Sequence, residues 1–160
     1  MVSVGTIAPD FVLKDSEESE FSLGQMRGKY VLLLFYPYDH GFFCTRQFCE
    51  YRDDWGKFKE REITVFGINS GSPESHKDFK DKNNLPFLLL SDENSAIAKQ
   101  YGACYDNGIS MRAYVLIAPD GRILYSMSEL FPILRKSLND LIKALDRRIE
   151  QYKIKLANAA

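Results

Sequence analysis

Three cysteines stand among the 160 residues, at positions 44, 49 and 104. An odd number cannot close into a fully paired disulfide framework, and a chain of this length does not need one. The thiols are therefore candidates for chemistry. Cys44 and Cys49 are five residues apart, in Pro37-Tyr-Asp-His-Gly-Phe-Phe-Cys44-Thr-Arg-Gln-Phe-Cys49. The apolar run Tyr30 to Tyr36 stops at Pro37, as a strand buried on both faces would. From Cys44 onward, Phe48, Tyr51, Trp55 and Phe58 follow at spacings of one helical face, predicting a helix over 44–59. Cys44 thus falls where a strand ends and a helix begins. Unpaired backbone N–H groups and the helix dipole at such a place favour a thiolate, the nucleophilic form of cysteine.

The elements around this site alternate in type. Ile63 to Ile68 reads as a second buried strand, and Ser72-Pro73-Glu74 as a capped start to a helix reaching about Asn83. Phe87 to Leu90 is a short apolar strand, and Ser91 to Tyr101 a helix ended by Gly102. Ala113 to Ala118, Pro119-Asp-Gly121 and Arg122 to Tyr125 form strand, turn and strand. Leu134, Leu138, Leu141, Leu145, Ile149 and Tyr152 share one helical stripe. Near the start, Phe11 to Leu13 and Glu20 to Leu23 flank a polar stretch and read as a hairpin. The order predicts an α/β protein with a central mixed β-sheet flanked by helices: a thioredoxin-like fold with an N-terminal β-hairpin extension. One domain over 1–152 and a frayed tail over 153–160 are expected.

Charge narrows the partners. Lys and Arg number 21 against 22 Asp and Glu, a formal net charge of −1, so neither nucleic acid nor an anionic membrane surface is expected as a partner. The N-terminus has neither a basic segment nor a sustained apolar one, and no run approaches the roughly 20 residues of a membrane span. A cytoplasmic protein with reduced thiols is the expectation.

Gly5-Thr-Ile-Ala-Pro-Asp-Phe11, Arg27-Gly28-Lys29, Leu32-Leu-Leu-Phe-Tyr-Pro37 leading to Cys44-Thr45, Cys49-Glu-Tyr-Arg-Asp53, Leu90-Ser-Asp92, Tyr101-Gly102, Arg112 and Pro119-Asp-Gly121 occur in this order. As an ordered set they resemble the peroxiredoxins, in particular the bacterioferritin-comigratory or Q-type group, over almost the whole chain. The resemblance implies a thiol peroxidase acting on hydrogen peroxide or alkyl hydroperoxides. Cys44 matches the peroxidatic cysteine, which becomes a sulfenic acid, and Cys49 the resolving cysteine, which closes a disulfide with it. Pro37 matches the residue that walls the pocket, and Arg112 the cation that holds the thiolate. A thioredoxin-like dithiol would be the reductant, no cofactor or metal is implied, and a monomer or weak homodimer is expected.

One position departs from the pattern. Gly41 stands where the family carries Thr or Ser, and Phe42-Phe43 where Pro-Gly is usual. The missing hydroxyl is worth roughly 1–3 kcal/mol of transition-state stabilisation, and the two phenylalanines suit bulky apolar hydroperoxides. Other readings of the same residues are weaker on spacing. Cys-x4-Cys is longer than the Cys-x2-Cys of a dithiol–disulfide oxidoreductase. His40, Cys44 and Cys49 supply only three metal ligands. A Cys–His hydrolase would pair Cys44 with His40 or His76, yet His76 reads as a surface residue of a polar helix start. A catalytically weakened redox sensor or chaperone on the same fold is the non-enzymatic alternative. Cys104 reads as a partly buried spectator, or as a second thiol that could reach Cys44.

Overall fold

The computed structural model describes residues 1–131 and 135–160. Its elements are β1 (Val12–Asp15), β2 (Glu20–Ser22), a 3-10 turn (Leu23–Met26), β3 (Tyr30–Phe35), α1 (Phe42–Asp53), α2 (Gly56–Lys59), β4 (Ile63–Asn69), α3 (Pro73–Asn83), β5 (Leu88–Ser91), α4 (Ala96–Gln100), β6 (Arg112–Ile117), β7 (Ile123–Glu129) and α5 (Leu138–Ala159). The seven strands form one sheet in the order β2-β1-β5-β4-β3-β6-β7. β3, β4 and β5 run parallel, while β6, β7 and the β1–β2 hairpin are antiparallel to their neighbours. This is the predicted mixed sheet, and the hairpin adds to its β5 edge.

Why β3 is continuously apolar follows from its position in the middle of the sheet. Successive side chains point to opposite faces. Leu32, Leu34 and Tyr36 join one core with Phe48 and Tyr51 of α1, Phe79 of α3 and Leu141 and Leu145 of α5. Val31, Leu33 and Phe35 join a second core with Phe66, Ala98, Tyr101 and Val115. Gly67 in β4 lets α1 pack close to the sheet. A Cβ there would lie 2.6 Å from Leu89 Cδ2 and 3.4 Å from the Phe48 ring.

Some boundaries differ from the sequence reading. The helix expected over 44–59 breaks at Asp54, whose backbone (φ −110°, ψ 31°) leaves helical geometry. Trp55 then stacks on Phe87 at 5.6 Å between ring centroids. The helix expected from Ser91 begins only at Ala96, because the Asp92 carboxylate accepts from Ile97 and Ala98 N–H and holds the chain in a turn. It does end at Gly102, at φ +68°. Residues 153–160, expected to fray, continue α5 as helix to Ala159, and each of them is exposed. Leu134 of the predicted stripe lies outside the described residues; Leu138, Leu141, Leu145 and Ile149 are buried as expected.

Candidate active site

β3 delivers the chain to the site. Tyr36 N–H still bonds Ile68 O at 3.1 Å, Pro37 follows half-buried, and five residues later α1 begins. Gly41 is the N-cap, with φ −65° and no side chain to close the helix end. Phe42, Phe43 and Cys44 therefore occupy the first turn. There the backbone N–H groups precede the first helical bond, Thr45 N–H to Gly41 O at 2.8 Å. Phe42 and Phe43 are exposed, at 71% and 40%, with their rings edge to face at 5.2 Å. Cys44 is the first buried side chain of the helix, at 3% exposure.

Arg112 meets it from the sheet. As the first residue of β6 it is buried, and its Nη2 donates to Cys44 Sγ at 3.2 Å. The guanidinium is held in turn by Gln47, whose Oε1 accepts from Nη1. Gln47 Nε2 donates to Tyr51 OH at 3.1 Å and Tyr114 OH at 3.0 Å. Burial pushes both phenols above their ordinary pKa, so they remain neutral hydroxyls and cannot serve as bases near neutral pH. Glu129, buried in β7, is the register partner of Arg112 across the β6–β7 pair and accepts from Lys136 N–H. A cation at the start of β6 thus sits beside the sulfur, oriented by Gln47, which is itself hydrogen-bonded to two buried tyrosines.

Gln47 was not legible as a site residue, although it left a trace in sequence. It is the polar residue three positions after Cys44, on the face otherwise formed by Cys44, Phe48 and Tyr51. Cys49 is half-buried on the same helix, its Sγ directed to Asn83 Oδ1 at 3.6 Å, with Arg52 alongside donating to Asn83 O at 2.7 Å. Cys44, Cys49 and Cys104 are all free thiols. In an unbroken helix, positions five apart have Cα atoms roughly 8–9 Å apart and face about 140° away from each other. Cys104 packs against the second core, across the sheet from the core that holds Cys44, and its thiol contacts Tyr105 O at 3.3 Å.

The histidines correct one expectation and separate two rival sites. His76 is not a surface residue: its side chain is fully buried and its ring lies against Asp39, with Nδ1 2.7 Å from Oδ2. The cause is α3, whose N-cap Ser72 and first-turn Pro73 turn position 76 inward. His40 points to Asp78 at 3.1 Å instead. Each imidazole is thus engaged by a carboxylate rather than by Cys44. Among the described residues no group of three or more His, Cys, Asp or Glu could hold a metal ion.

Comparison with known proteins bears on the family of the chain. Residues 4–126 match the model of the AhpC/TSA family. Peroxiredoxin Q, chloroplastic, of Oryza sativa subsp. japonica is 43% identical over 105 residues, covering 66% of this chain and 48% of that protein. The Sedum lineare protein of the same name is 45% identical over 105 residues, covering 66% and 56%. The chain thus spans about half the length of these curated relatives. A reduced 2-Cys peroxiredoxin from Plasmodium vivax superposes with a TM-score of 0.85 at 29% identity, covering 94% of this chain and 98% of that one. With a thioredoxin-like sheet that sets a buried thiol at a helix start against a strand-borne arginine, and with its similarity to peroxiredoxins of the Q type, the chain belongs to the AhpC/TSA family.

Proposed function

We propose that the protein is a thiol peroxidase that reduces hydrogen peroxide and organic hydroperoxides. The observation that carries this reading is the 3.2 Å contact from buried Arg112 Nη2 to Cys44 Sγ at the start of α1. A charged hydrogen bond of this kind is worth about 1.5–3 kcal/mol, and here it acts where charge passes from sulfur to the departing oxygen. The Cys44 thiolate attacks one peroxide oxygen and the O–O bond breaks. Sulfur is oxidised to a sulfenic acid, and the other oxygen leaves as hydroxide or alkoxide and takes a proton from water. Pro37 and the buried face of α1 limit water at the sulfur. The Cys49 thiolate then attacks the sulfenic sulfur; the S–O bond breaks, hydroxide leaves and takes a proton from water, and a Cys44–Cys49 disulfide forms. A thioredoxin-like dithiol reduces that disulfide by exchange and is itself oxidised. The exposed Phe42–Phe43 pair beside the sulfur offers an apolar surface to the alkyl group of a hydroperoxide. A reducing compartment such as the cytoplasm suits the three free thiols, and a monomer needs no second chain to complete this site.

The test is peroxide consumption with a thioredoxin system by the wild type, Cys44→Ser and Cys49→Ser. Repeated turnover by the wild type, none by Cys44→Ser, and a slow reaction by Cys49→Ser that over-oxidises Cys44 are expected. Full activity in Cys44→Ser would end this reading. Consumption of a single equivalent by the wild type would favour a redox sensor.

A further inference from the structure

Asp39 lies between Pro37 and the start of α1 and has no part in the chemistry above. Its side chain is only 5% exposed and has partners at the end of β3, in β4 and in α3. The carboxylate accepts from Tyr36 OH at 2.5 Å, Ser75 Oγ at 2.6 Å, His76 Nδ1 at 2.7 Å and Asn69 Nδ2 at 3.3 Å. On its other side, His76 Nε2 lies 3.2 Å from the carbonyl of Leu90. The pair is a buried histidine–carboxylate contact that joins the loop after β3 to the end of β4, the first turn of α3 and β5.

Immediately downstream His40 still meets Asp78 at 3.1 Å and packs on Phe79, and past it the chain is held weakly. His40 adopts φ +60°, Gly41 caps α1 without a side chain, and Phe42 and Phe43 are exposed. The next buried anchor after Asp39 is Cys44 itself.

We propose that the Asp39–His76 pair is a latch that opposes unwinding of the α1 start, and so sets how sulfenic acid on Cys44 divides between two fates. This rests on the peroxidase reading above. In one fate Cys49 displaces hydroxide from the sulfenic sulfur, which gives the disulfide and water. In the other the sulfenate attacks a second peroxide, the O–O bond breaks, and a sulfinic acid and water or alcohol result. The disulfide needs Cα atoms within about 7 Å and Cβ atoms facing, so Cys44 must leave the helix; over-oxidation needs no such motion. With Asp39 anchored, the unwound chain is free only from His40 onward. Releasing the anchor frees the residues before it as well, so the unwound ensemble gains conformational entropy and the disulfide route gains on its rival. Asp39 is a positioning residue in this scheme.

The experiment titrates the wild type, Asp39→Asn and Ser75→Ala with hydrogen peroxide during turnover with a thioredoxin system. The disulfide and sulfinic fractions of Cys44 are read by mass spectrometry, and thermal unfolding of each variant is recorded. Asp39→Asn should need about threefold to tenfold more peroxide for half-conversion to sulfinic acid, the scale of losing one or two net hydrogen bonds. Ser75→Ala should shift in the same direction by less. A merely structural role would lower the unfolding midpoint and leave this partition where it was. An unchanged or reversed partition in the folded variants overturns the latch, and Ser75→Ala alone decides should Asp39→Asn not fold. Wild-type Cys44 that peroxide does not oxidise would remove the peroxidase reading, and the latch with it.

Discussion

Gly41 stands four residues beyond Pro37, and its surroundings define what a hydroxyl there would do. A Cβ built on it meets Tyr38 O at 3.4 Å and Cys44 Sγ at 3.8 Å, both ordinary contacts, and its φ of −65° suits any residue. The space beside the sulfur is open and the backbone is already compatible. Gly41→Ser should therefore raise the second-order rate of Cys44 oxidation by hydrogen peroxide about tenfold, the value of one added donor to the transition state. Stopped-flow oxidation of the reduced protein measures this. An unchanged rate would mean that Arg112 and the first-turn N–H groups already meet the need. The same serine would cap α1, a place where glycine is only slightly worse, so its effect on stability should be a few tenths of a kcal/mol.

At the scale of the element, α1 carries two requirements that conflict. Its intact first turn presents Cys44 to Arg112, yet the same turn keeps Cys44 and Cys49 on different sides of the helix. Hydrogen exchange should therefore be slow at Cys44 to Cys49 in the reduced protein and faster there after oxidation, with β3, β4 and β6 unchanged. Identical exchange in the two redox states would sink local unwinding as the route to the disulfide. α3 bears on both ends of this motion. His76 and Ser75 near its start hold Asp39, and Asn83 at its end meets Cys49 and Arg52. The helix that braces the reduced site is thus a separate element from the helix that must move.

The whole molecule should register the Asp39 network in its acid stability. Burial by itself would raise the Asp39 carboxyl, but the hydrogen bond and charge of His76, with the hydroxyls of Ser75 and Tyr36, outweigh it and hold the group below its ordinary value. A carboxyl lower in the folded than in the unfolded chain contributes stability that is present above the unfolded value, near 4, and lost as pH falls through the folded one. Urea unfolding between pH 3 and 7 should show this loss in the wild type. Asp39→Asn should be less stable at neutral pH by about 1–3 kcal/mol and less sensitive to acid. An equally steep acid limb in the variant would mean that other carboxylates govern it.

Local pattern and spacing alone determined much of this protein. The run Tyr30 to Tyr36 had to be a central strand because every side chain in it is apolar, and Ser72-Pro73 had to start a helix because cap and first-turn chemistry coincide. The placing of Cys44 at a strand-to-helix junction follows from that strand and from the helical spacing of Phe48, Tyr51, Trp55 and Phe58 after Cys44. Tertiary structure decided what touches the sulfur. Arg112 is 68 residues from Cys44 in sequence, and only the antiparallel β3–β6 pairing brings its guanidinium to Sγ. Gln47 and His76 became legible only once packing showed which face of each helix is buried. A polar side chain enters a core when its partners come from other elements, and those partners are fixed by the sheet order rather than by any local signal.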